Sequence, residues 1–121
     1  KKEDKLILGV GSGDTEEIYT RAYINGNFKT ALIEGYNAHN QFVEFLVSNG
    51  FFGLLVFVWV LLFFALKTKL RGEALSFFIT IVLLSFIESF LCRAKGVFIF
   101  SFFISFFLLM YSDKLIKNEQ P

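Results

Sequence analysis

The chain has a single cysteine, Cys92, which excludes an internal disulfide and a cysteine-built zinc site. It also has a single histidine, His39, and with one cysteine and one nearby glutamate that leaves too few ligands at suitable spacing for a membrane metalloprotein. Charge of one sign is missing too. Lysines and arginines number 12 against 11 acids, and they are scattered singly, without the basic, aromatic-interleaved patches that nucleic acid requires. No nucleic-acid partner is therefore expected. The opening residues Lys1-Lys2-Glu3-Asp4-Lys5 lack a methionine and are not followed by an apolar region with a small-residue cleavage site. They do not form a signal peptide, and they read as the middle of a longer chain.

What the chain does contain is apolar and concentrated. It is 55% hydrophobic and 19% aromatic, with a mean hydropathy of +0.57, more than a soluble domain of 121 residues carries, and nearly all of its 18 phenylalanines follow position 41. This composition predicts an all-α integral membrane protein. Three apolar segments follow one another: 51–66, continuing a helical pattern that begins near Ala38, then 75–92, then 97–112. Each is near the lower limit of about 17 residues for a spanning helix. Their uninterrupted Leu/Phe/Val runs lack the two-residue alternation of a barrel strand.

Lysines and arginines near the helix ends give an orientation. Lys67, Lys69 and Arg71 place the 67–74 turn in the cytoplasm, and Lys114 and Lys117 place the 113–121 tail there as well. Residues 1–37 are then an extracytoplasmic loop with little regular structure of its own, and 93–96 is an extracytoplasmic turn. Arg93 and Lys95 violate that rule, which fits cations held outside for something anionic. Within the loop, Gly9-Val10-Gly11-Ser12-Gly13-Asp14 admits two readings: a phosphate cradle of backbone N–H groups, or a turn that returns the chain to the membrane. Thr15-Glu16-Glu17 resembles the acidic first turn of a helix, and Ile24-Asn25-Gly26-Asn27 a second turn.

The segment Asn37 to Leu46 puts a titratable cluster at the mouth of the first membrane helix. With Asn37 as N-cap, His39 falls in the first helical turn, where the helix end favours a neutral ring able to accept a proton. The same spacing sets His39 on an apolar face with Phe42, Val43 and Leu46, where it would simply pack. Asn40 and Glu44, one turn apart, form a polar face that either binds sugar hydroxyls or is solvated. In the second helix, Ser85, Glu88, Ser89 and Cys92 make one polar stripe. Glu88 should face a bundle interior or a water-filled cavity, either in a structural contact with Arg93 through a bent helix end or as part of a binding site. Ser101, Ser105 and Ser112 form a small-residue face for helix packing.

Taken together, Gly9-Val10-Gly11-Ser12-Gly13-Asp14, then Asn37-Ala38-His39-Asn40-Gln41-Phe42-Val43-Glu44, then Gly50-Phe51-Phe52-Gly53 before a membrane helix resemble the C-terminal part of the bacterial O-antigen ligase and polymerase family. The stretch from Glu88 to Phe98 is similar to a pattern in a subset of that family. The resemblance implies a metal-independent, inverting glycosyltransferase of the inner membrane whose site faces the periplasm and which uses no cofactor. Such proteins move a glycan from an undecaprenyl diphosphate carrier to an acceptor hydroxyl, on lipid A core or on another carrier-linked glycan. His39 would be the base, Arg93 and then Arg21 the candidates to hold the diphosphate, Glu88 the residue that orients Arg93 or His39, and Asn40 a contact to substrate. Family members have roughly a dozen membrane helices. The three seen here are thus expected to be a fragment, inactive alone, whose nearest partners are lipid and the missing N-terminal helices. The competing class is a small non-enzymatic membrane assembly or scaffold protein.

Overall fold

A computed structural model describes the backbone of residues 6–117 and the side chains of residues 6–111. Among these residues there are only helices and turns. After helical residues 6–8 they are, in chain order, α1 (Thr15–Asn25), α2 (Lys29–Glu34), α3 (Gln41–Thr68), α4 (Glu73–Ile87), a single 3-10 turn (Phe90–Cys92) and α5 (Ala94–Lys117). The expected loop over 1–37 is therefore corrected for 15–34, which forms two helices. The acidic Glu16 and Glu17 lie in the first turn of α1, which ends at Gly26, where the Gly26 N–H donates to the Ala22 carbonyl and the Asn27 N–H to the Ile24 carbonyl.

Helices α3, α4 and α5 pack through narrow stripes. On α3 the buried positions Phe57, Leu61, Phe64 and Thr68 recur at helical spacing; Phe57 and Leu61 cluster with Ile81 of α4, and Phe64 with Ala74 of α4 and Phe107 of α5. Phenylalanine rings fill this seam: Phe64 lies edge-on to both Phe77 and Phe107. The hydroxyls of Thr68 and Ser85 buried here return to their own helix, Thr68 to the Phe64 carbonyl and Ser85 to the Ile81 carbonyl, so neither is left bare among hydrocarbon. The outer faces, among them Trp59, Leu62, Phe98, Phe102 and Leu109, remain exposed.

Among the described residues two helices are long and apolar enough to cross a membrane, Gln41–Thr68 and, over its stretch Ala94–Tyr111, α5. Helix α4 is apolar but has 15 residues. At ~1.5 Å per residue it reaches about 22 Å, short of the ~30 Å hydrocarbon core. The expected second span over 75–92 thus ends early, at Ile87. The reason lies in the partner helix, because Asn40 and Gln41 capture the backbone of residues 86–91 and draw it out of helical register.

Helix α3 is itself interrupted. Gly50 sits at φ 67°, ψ −168°, a conformation essentially restricted to glycine. The break frees two carbonyls, and the N-terminal segment takes them: Val10 N–H donates to the Val47 carbonyl at 3.0 Å and Gly11 N–H to the Ser48 carbonyl at 2.9 Å. Gly9 and Gly50 cross backbone on backbone, so a Cβ on either would lie within 2.5 Å of main-chain atoms of the other segment. Of the two readings of the glycine run, the structural one describes this geometry, since those N–H groups point at helix carbonyls and are not free for an anion.

Candidate functional site

The polar end of the molecule is built where the start of α3 meets the end of α4. Asn40, not Asn37, is the N-cap of α3: its side-chain oxygen accepts from the N–H groups of Phe42 and Val43 at 3.0 and 3.1 Å. Its Nδ2 donates to the Phe86 carbonyl and its backbone N–H to Ser89 Oγ at 3.2 Å. The next residue, Gln41, is 2% exposed and accepts the Leu91 N–H on Oε1 at 2.7 Å. These bonds tie residues 40–41 to residues 86–91 and fix where the intervening side chains go.

His39 consequently lies outside the helix, one residue before the cap. The expectation that it occupies the first helical turn is corrected, and with it the argument that the helix end holds the ring neutral. It adopts φ 45°, a left-handed conformation uncommon for a non-glycine residue. Its backbone N–H donates to Asn37 Oδ1 at 3.0 Å, a local turn that helps hold this geometry. The ring is not packed on the apolar face of α3, where Phe42 meets Phe57 and Phe86 instead. It stands edge-on to Tyr36 at 5.5 Å with its side chain 51% exposed.

From this position His39 Nδ1 lies 3.4 Å from Glu88 Oε2. The other carboxylate oxygen, Oε1, is buried without a hydrogen bond, and Arg93 Nη2 is 3.8 Å from it. Glu88 therefore joins an imidazole on one side to a guanidinium on the other. The tautomer this contact favours carries its proton on Nδ1 and leaves Nε2 free as an acceptor toward solvent. Arg93 is held only loosely, at a distance beyond a hydrogen bond and with its side chain 71% exposed, so an incoming anion can take it. The expected helical stripe of Ser85, Glu88, Ser89 and Cys92 does not exist as such. Ser85 is on α4, while Glu88 is its extended C-cap and Ser89 and Cys92 belong to the following turn. The bend is what allows residues five apart, Glu88 and Arg93, to approach. Gly96 completes it, since a Cβ there would meet the Phe90 carbonyl at 2.0 Å.

Of the residues singled out in the sequence, His39, Glu88 and Arg93 are thus brought together, with Asn40 beneath them as a helix cap. Arg21 is not: it pairs with Glu17 one turn back on α1, its side chain 73% exposed. Ser101 and Ser105 line a groove on the outer face of α5, and the side chain of Ser112 lies outside the described residues.

A second polar group joins Glu44, read in the sequence as part of a polar face with Asn40, to Tyr19 and Cys92, a grouping the sequence analysis did not contain. Glu44 is not solvated; it is 6% exposed and accepts the Tyr19 hydroxyl at 2.8 Å. Burial, and then Glu44 itself, push the Tyr19 hydroxyl well above the usual phenol range. Partial burial, then Glu44 and Glu88, push the thiol of Cys92, whose side chain still reaches solvent, up to about 11, so it is held protonated. Tyr19 is 25 residues from Glu44 and Leu91 is 50 from Gln41, and no local pattern announces either contact. Among the described residues, no three of the His, Cys, Asp and Glu side chains converge so as to hold a metal ion. No protein-family model, no curated protein and no solved structure matches this chain.

Proposed function

We propose that this chain is the C-terminal part of a membrane glycosyltransferase similar to the O-antigen ligases and polymerases, with His39 as its base. The observation that supports this most is Glu88, which links a solvent-facing imidazole to a loosely held guanidinium at the end of an apolar helical bundle. The two groups suit the two ends of a glycosyl transfer. His39 Nε2 takes the proton of the acceptor hydroxyl as that oxygen attacks the anomeric carbon, and the bond from that carbon to the diphosphate oxygen breaks with inversion. The undecaprenyl diphosphate leaves as an anion, whose charge Arg93 stabilises through its planar donor fork. Glu88 holds the tautomer and orientation of His39.

In this reading α3 and α5 cross the inner membrane and α4 lies between them as a third, shorter helix of the same bundle. The site faces the periplasm. The exposed apolar faces of α3 and α5 meet lipid or further helices of the same protein, which supply the rest of the carrier groove. In the complete reading frame, His39→Ala is expected to lower glycan transfer by about two to four orders of magnitude, the usual contribution of a general base. Protein level and membrane insertion should be unchanged. Transfer at near the normal rate removes His39 from the mechanism; labelling of position 39 from the cytosolic side of intact cells removes the periplasmic site.

A further inference from the structure

Beside the His39 cluster, α1, α2, the start of α3 and the 3-10 turn enclose a cavity of about 510 Å³, within the ~300–1,000 Å³ typical of small-molecule pockets. Resting on the glycosyltransferase reading, we propose that this cavity is the subsite for an uncharged pyranose ring of the acceptor glycan, which it holds beside His39.

The chemistry of the walls carries this. Gln41 is 2% exposed, and with Oε1 committed to the Leu91 N–H its Nε2 makes no hydrogen bond among the described residues, although the side chain lines the cavity. Glu44, one turn further on, is 6% exposed, lines the same floor and gives one oxygen to Tyr19. A buried amide donor beside a buried carboxyl acceptor matches the vicinal hydroxyls of a sugar, which donate and accept at once. Tyr19, Tyr23 and Tyr36 add aromatic walls, as the apolar face of a pyranose requires. Among the described residues two glutamates, Glu16 and Glu44, line the cavity, and no lysine, arginine or histidine does. An anionic sugar or a diphosphate is therefore repelled from it and directed to Arg93, outside it. Tyr36 connects the two places, since it lines the cavity and packs edge-on against the His39 ring.

Cys92 lines the same cavity and is the only cysteine, so alkylation by a maleimide reports on this one position. The test uses the protein in detergent at mildly alkaline pH, with methyl β-glucopyranoside or N-acetylglucosamine as probe, glucuronate as anionic control and choline as cationic control. At about ten times Kd a neutral sugar should slow Cys92 labelling about tenfold, because only the unoccupied fraction reacts. Glucuronate should slow it far less. Protection should be lost in Glu44→Gln and also in Ala31→Trp, which fills the cavity from its α2 wall. No protection by either neutral sugar, equal protection by glucuronate, or protection by choline alone overturns the proposal. Because His39→Ala should keep the protection while losing transfer, the two readings fail separately. Transfer without protection sinks the cavity subsite, and protection without His39-dependent transfer sinks the glycosyltransferase.

Discussion

The two ends of this molecule are held together by different physics. In the helical bundle the contacts are apolar and repetitive, phenylalanine against phenylalanine along α3, α4 and α5, and the few buried hydroxyls bond within their own helix. At the polar end the ties between segments are specific hydrogen bonds joining residues far apart in sequence: Gln41 to Leu91, Asn40 to Ser89, Tyr19 to Glu44, Val10 to Val47. The bundle can exchange one apolar side chain for another at modest cost if volume is kept. The polar end cannot, because each lost partner leaves a buried polar atom bare. It is at this less forgiving end that His39, Glu88 and Arg93 converge.

Truncation in the bundle should have the largest effect on stability. Phe64 is 1% exposed and is touched by rings from α4 and α5, so Phe64→Ala is expected to cost about 3–5 kcal/mol. Phe64→Leu should recover most of it, as followed by thermal unfolding in detergent. A loss just as large with leucine would show that the bundle depends on shape as strictly as the polar end does. Next comes Gly50→Ala, at the crossing with Gly9. A Cβ there meets main chain at 2.3 Å and the backbone conformation is unfavourable for alanine, so about 3 kcal/mol is expected. Faster hydrogen exchange at Val10 and Gly11 should accompany it, and unchanged exchange would mean that the clip does not hold the N-terminal segment.

Gln41→Ala strips the Leu91 N–H of its partner and is expected to cost about 1–3 kcal/mol. The damage should be local. Proteolysis near 88–92 should speed up while the bundle melts as before. Smallest is a pH effect. Since the Cys92 thiol is pushed up to about 11, its alkylation rate should keep rising with pH toward that value, where an ordinary cysteine would already have levelled off. In the stability of the fold the sign is the opposite. A pKa raised on folding contributes stability that is present below the ordinary thiol value of 9.0 and is lost as pH climbs toward 11. Substituting Glu44→Gln should shift the labelling curve to lower pH, and a curve that stays in place would leave burial and Glu88 as the causes.

Much of the bundle was legible in advance because helical periodicity is a local property. The stripe Phe57, Leu61, Phe64 and Thr68 repeats every three or four residues, and the apolar runs stand out whatever surrounds them. The tendency of Glu88 to find a cation or a histidine could also be read, since a carboxylate among apolar residues needs a partner. The identity of the N-cap was not legible. Asn37 and Asn40 are equally good caps by residue type, and only the approach of Phe86 and Ser89 selects Asn40 and puts His39 outside the helix.

By itself, then, the sequence determined an all-helical chain with long apolar segments and named the residues able to do acid–base or anion chemistry, because composition and short-range spacing are enough for that. The tertiary structure alone decided where α4 ends and that Glu44 is buried against Tyr19. These outcomes depend on hydrogen bonds between residues 25 to 50 positions apart, for which no window of local sequence carries a signal.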